Sequence, residues 1–111
     1  MRTIIKTANA PSPIGPYNQA ILVNDTLYVS GQIAINPSSN KLVVADIISE
    51  TKQVMANLSA ILEDANMTFD NVVKCSIFVK NLDQFTIINE TYGQFFKDLA
   101  PARETVEVSK L

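Results

Sequence analysis

The sequence contains no histidine. That absence excludes a Ser-His-Asp triad, a Cys-His pair and the common zinc sites. A single cysteine, Cys75, excludes an internal disulfide. It falls in the apolar row Val73, Cys75, Ile77, Val79 and reads as a small buried hydrophobe rather than a nucleophile. Gly15, Gly31 and Gly93 stand apart, so no glycine-rich phosphate loop is present. Lys and Arg form no run and the formal net charge is −2, so the basic footprint of a nucleic-acid binder is missing. The apolar runs are too short to cross a membrane. The opening MRTIIKTANAP lacks the apolar stretch of a signal peptide. A cytoplasmic protein without membrane or nucleic-acid partners is expected.

Hydrophobic residues make up 47% of the 111, enough for one small core, and residues 1–111 read as a single domain. RTIIK (2–6) is a candidate first strand. APSPIGPY (10–17), with three prolines and a glycine, is a stiff loop. QAILVN (19–24) and TLYVSGQIAI (26–35) predict a hairpin turning at Asn24-Asp25, and NPSSNK (36–41) a loop. Asp46 is placed to cap a helix whose apolar face is Ile47, Thr51, Val54, Leu58, Ile61 and Ala65, ending at Asn66. NVVKCSIFVK (71–80) alternates as a strand. Asp83 is placed to cap a second helix with Phe85, Ile88, Tyr92, Phe95 and Leu99 on one face. The order is β-β-β-α-β-α-β. It predicts an α+β fold: one mixed sheet with both helices packed on one face. The other face stays bare, with Phe78 among Lys74, Ser76 and Lys80. A closed homo-oligomer with clefts between subunits follows as an expectation.

The last segment, APARETVEV (100–108), enters a strand through Pro101. Ala102, Glu104, Val106 and Val108 share one face; Arg103, Thr105 and Glu107 share the other. On the residues alone, Arg103 is either a solvated strand arginine or the floor of an anion pocket. Guanidinium suits a carboxylate because it stays charged and offers a planar two-pronged donor.

Four stretches carry a resemblance: IGPYNQA (14–20), YVSGQI (28–33), FTIINETYGQFF (85–96) and PAR-x-x-VEV (101–108). In this order and spacing they resemble the Rid family, also called YjgF or L-PSP, and within it the RidA-like subgroup. The resemblance runs from about residue 4 to residue 111. It implies a chorismate-mutase-like fold assembled as a homotrimer, with sheets inward, helices outward and clefts between subunits. It implies hydrolysis of 2-iminobutanoate and 2-iminopropanoate to 2-ketoacids and ammonia, with no metal or organic cofactor.

Carried over residue by residue, the resemblance makes Arg103 the catalytic residue, gripping the carboxylate of a small 2-imino or 2-keto acid. It makes Tyr17, Ser30, Gly31 and Phe85 substrate-binding residues; Asn89, one helical turn from Phe85, and Thr105, on the face of Arg103, are added to that set by their positions. Each has a plainer reading. Tyr17 can be a packing tyrosine on the Gly15-Pro16 turn. Gly31, read as lying inside a strand, can mark tight packing. Phe85 belongs to an apolar stripe, and Asn89, just off it, can serve a structural role by donating to a backbone group or to a neighbouring subunit. Many relatives carry cysteine at the place of Thr105. Relatives also have a later strand bearing a cleft glutamate, which no residue up to Leu111 matches. Glu107, on the face of Arg103, is the nearest acid, and a surface position is its alternative. Two other functions stay open: a non-catalytic sensor of small carboxylates, and an endoribonuclease or translation inhibitor.

Overall fold

The computed structural model describes residues 1–111. Strand β1 (Arg2–Ile5) pairs antiparallel with β2 (Ala20–Val23), and β2 with β3 (Thr26–Val29). The register aligns Ile5, Ala20 and Val29, so Ile5, Ala20, Leu22 and Leu27 share one face. Asn24 opens the hairpin turn at φ 53°, a left-handed conformation that asparagine tolerates. The proline-rich loop before β2 is held by one amide. Gln19, only 3% exposed, donates from Nε2 to the carbonyls of Thr7, Ala10 and Pro11 at 3.0, 3.2 and 2.9 Å. Its Oε1 accepts from the Thr7 N–H at 2.7 Å.

The alternation over 26–35 predicts a continuous strand, but β3 stops at Val29. Asn57, 1% exposed, explains the departure: its Nδ2 donates to the carbonyls of Ile33 and Ile35 at 3.1 and 3.0 Å. These bonds draw the segment toward the helix. Ser30 and Gly31 therefore follow the strand rather than sit inside it. Two short strands, β4 (Ile35–Asn36) and β5 (Lys41–Leu42), flank the segment read as a loop, and Asn40 closes their turn at φ 60°.

Helix α1 (Ile47–Asp64) is capped by Asp46, whose Oδ1 accepts from the Ser49 N–H at 2.7 Å. The bonds from Ser49 hold the Asp46 carboxyl below its ordinary range. At the other end Asn66 turns left-handed at φ 58°. The N–H groups of Asn66 and Met67 then reach the carbonyls of Glu63 and Leu62 at 2.9 and 2.8 Å, closing the helix end. The buried face is wider than the predicted stripe: Met55, Asn57 and Leu62 are buried with Ile61. The cause is packing on two flanks. Ile61 lies on Ile5, Ala10 and Ala20, while Met55 meets Tyr92 and Phe96.

Strand β6 (Lys74–Val79) runs parallel to β7 (Ala102–Glu107), with helix α2 (Phe85–Gly93) between them in sequence. The expected cap at Asp83 is displaced. A 3-10 turn, Leu82–Gln84, precedes α2, and Asn81 caps that turn by accepting from the Asp83 N–H at 2.9 Å. Leu99 does not belong to the helix face, because α2 ends at Gly93 and Leu99 is exposed. Phe95 and Phe96 turn instead onto Phe69, with ring centroids 5.6 and 5.4 Å apart. Cys75 is half-buried rather than buried.

The single mixed sheet is replaced by three separate ladders: β1-β2-β3, β4-β5 and β6-β7. The α+β class holds, with both helices applied to the strand faces that carry Ile5 and Ala20 and Cys75 and Ile77. Ile4, Tyr28 and Phe78 on the opposite faces are exposed. No helix is long and apolar enough to cross a membrane.

On the open face of β7, Glu104 accepts from Lys74 Nζ at 2.8 and 2.9 Å and from Ser76 Oγ. Lys74 first, then Ser76, lowers its pKa below the ordinary 4.5. A depressed carboxylate contributes stability above the unfolded value and loses it as pH falls through the folded one. The Glu104→Gln variant should therefore melt slightly below wild type near neutrality. The difference should close as pH falls below the ordinary 4.5 and the folded carboxylate takes up its proton. Melting curves on both sides of that value check it, and a gap that stays constant with pH contradicts the assignment.

Candidate active site

The β6–β7 register sets Arg103 beside Cys75, so its side chain leaves the sheet on the helix-covered face. Helix α2 meets it there with Phe85, Asn89 and Tyr92, spaced by four and three residues and hence on one helical face. Arg103 is half-buried, and its Nη1 donates to Asn89 Oδ1 at 2.6 Å. Its Cζ lies 5.1 Å from the centroid of the Tyr92 ring and 5.5 Å from that of Phe85, both within cation–π range. Three of the residues singled out from sequence, Arg103, Asn89 and Phe85, thus converge. Tyr92 is the one missed: a tyrosine on an apolar stripe reads as core. Its spacing from Phe85 and Asn89 was the available signal.

Tyr92 is buried, and its hydroxyl has no hydrogen-bond partner. Burial, and then the neighbouring Cys75 thiol, push its ionisation far above the usual phenol range, while Arg103 partly opposes them. The ring therefore stays neutral and serves the guanidinium as a flat π surface. Thr105 shares the face of Arg103, and its Oγ1 is likewise enclosed without a partner. Glu107 has other work: its Oε1 accepts from the Leu82 N–H at 2.9 Å and fixes the turn before α2.

Tyr17 and Ser30 form a second group. With Arg2, Asn18, Tyr28 and Val29 they line a cavity of about 390 Å³ that includes no residue of α2 or β7. Ser30 holds the loop there, its Oγ donating to the Asn18 carbonyl at 2.6 Å and its N–H to the Gln19 carbonyl at 2.9 Å. Tyr17 is half exposed, and its N–H donates to the Gly15 carbonyl at 2.8 Å. Gly31 is exposed, with open space where a Cβ would stand. A smaller cavity of about 260 Å³ beside Lys6, Ser12 and Gln19 lacks the guanidinium. No three His, Cys, Asp or Glu side chains converge to hold a metal ion.

The model of the family described as Endoribonuclease L-PSP matches residues 7–111. The chain is similar to a Rid-family protein of unknown function from Yersinia pestis. The TM-score is 0.96 at 48% identity, over all of this chain and 89% of that one. It belongs to the Rid family. Among its Rid relatives is the human 2-iminobutanoate/2-iminopropanoate deaminase, 44% identical over 111 residues, which cover 100% of this chain and 81% of that protein. Another is a RutC family protein of Pyrococcus horikoshii, 43% identical over 100% of this chain and 88% of that one. Rid relatives thus carry differing descriptions, and the arginine site has to discriminate among them.

Proposed function

We propose that this chain hydrolyses small 2-imino acids, of the 2-iminobutanoate and 2-iminopropanoate class, to 2-ketoacids and ammonia. The observation that carries the reading is Arg103. Its guanidinium is neither dispersed in solvent nor neutralised by an acid; it is oriented by two rings and one amide. A 2-imino acid places a carboxylate next to its C=N bond. Binding that carboxylate on two prongs fixes the imine carbon relative to an incoming water. Water adds to that carbon, the C–N bond breaks, and nitrogen leaves as ammonia with the transferred protons. The human relative's activity supports the same substrate class.

The site is completed between copies in this reading. The group around Tyr17 and Ser30 faces the Arg103 group of a neighbouring subunit in a homotrimer, with the exposed faces of Phe78 and Tyr28 turned toward other copies. An RNA-cleaving role is disfavoured by the net charge of −2 and the lack of any basic run.

The test couples a threonine dehydratase to this protein, with semicarbazide as an imine trap. The expected result is faster 2-ketobutanoate release and less trapped imine. Ketoacid binding with no effect on rate would establish a sensor instead. Full activity from a species that sediments as a single chain would remove the intersubunit part of the proposal.

A further inference from the structure

Resting on that reading, we infer that Asn89 is a positioning residue, which serves carboxylate recognition only through the guanidinium of Arg103. A guanidinium on a flexible stem has two freedoms that matter: tilt of its plane, and rotation within that plane. The rings of Tyr92 and Phe85, at 5.1 and 5.5 Å, restrict the tilt. Rings alone leave the in-plane rotation nearly free, because a π surface has no lateral direction. The bond from Nη1 to Asn89 Oδ1, at 2.6 Å, removes that rotation.

The choice of nitrogen matters. Guanidinium has five N–H donors in a rigid fork. With Nη1 engaged, the Nε–Nη2 edge remains as a parallel pair, the geometry a carboxylate accepts. An amide oxygen does this without adding charge, whereas an acid at position 89 would pair with Arg103 and compete with the substrate. Asn89 is itself exposed on α2, so its place in the fold needs no other explanation from packing. Helix geometry fixes its distance from Phe85 and Tyr92, so all three constraints on the guanidinium come from one rigid element.

The experiment compares wild type with Asn89→Ala, a substitution that favours the helix and should leave folding intact. On 2-iminobutanoate, kcat/KM should fall about 10- to 100-fold, the effect of losing one hydrogen bond to a charged group. On the methyl ester of the same imine, which lacks the carboxylate, the two proteins should be equally slow. Equal loss on acid and ester would mean that Asn89 touches the reacting centre, and would overturn the inference. So would an unchanged rate on the acid in an active protein. A third reading needs no substrate. The ¹⁵N side-chain resonances of Arg103 should be resolved by hindered rotation in wild type and averaged in Asn89→Ala. Identical spectra overturn the placement. Should wild type hydrolyse no imine, the enzymatic reading falls and takes the carboxylate role with it. An altered Arg103 spectrum then shows that the fault lay in the function rather than the geometry.

Discussion

Arg103→Lys should lose at least about a hundredfold in kcat/KM on 2-iminobutanoate, and Arg103→Ala about a thousandfold or more, with both variants folded. The lysine variant is the informative one, because it keeps the charge. An ammonium is a compact point charge; it cannot present two parallel donors, nor lie flat against Tyr92 and Phe85 while bonding Asn89. Hydrogen bonds to charged groups contribute roughly 1.5–3 kcal/mol each, so two of them account for about 10² to 10⁴ in rate. Steady-state kinetics in the coupled assay, with a thermal melt on the same samples, give the answer. Wild-type turnover by either variant removes Arg103 from the chemistry. Loss of activity together with loss of the melting transition would assign it to the fold instead.

The second large effect is on stability, at Gln19. Gln19→Leu should destabilise the protein by about 3–4 kcal/mol. Four polar contacts converge on that amide, to both backbone groups of Thr7 and to the carbonyls of Ala10 and Pro11. Leucine fills a similar volume, so the loss is one of pairing rather than of packing. An unpaired buried polar group costs about 1–3 kcal/mol, though those nearer the surface regain water as the loop relaxes. Urea unfolding at fixed protein concentration measures the difference. A melting point lower by roughly 10–15 °C is the corresponding thermal result. A variant within about 0.5 kcal/mol of wild type would show that the prolines hold the loop by themselves.

The features legible in the sequence are those whose cause lies within a few residues. Asn24 turns the first hairpin, Asp46 caps α1, and Asn66 ends it, because each uses its own side chain or tolerates its own φ. The misreadings have distant causes. The strand through Ser30 and Gly31 was broken by Asn57, more than twenty residues away, and nothing local distinguishes that asparagine from a solvated one. The helix spacing that ran on to Leu99 was cut short as Phe95 and Phe96 turned toward Phe69. The cap expected at Asp83 fell to Asn81, because a 3-10 turn precedes α2.

At the site the balance is similar. Arg103, Phe85 and Asn89 could be nominated from residue type, period and likeness. That Asn89 accepts from Arg103, and that Tyr92 lies against it, depends on the β6–β7 register. A strand shifted by one residue would turn Arg103 to the opposite side and break the arrangement.

The three unconnected ladders have a mechanical consequence. No main-chain hydrogen bond joins the half built on β1, β2 and β3 to the half built on β6 and β7. Sliding one half past the other therefore breaks no backbone pairing. Resistance to that shear comes from interlocked side chains, chiefly Met55 against Tyr92 and Phe96. The side chains that carry this interlock lie beside the ring on which the guanidinium rests.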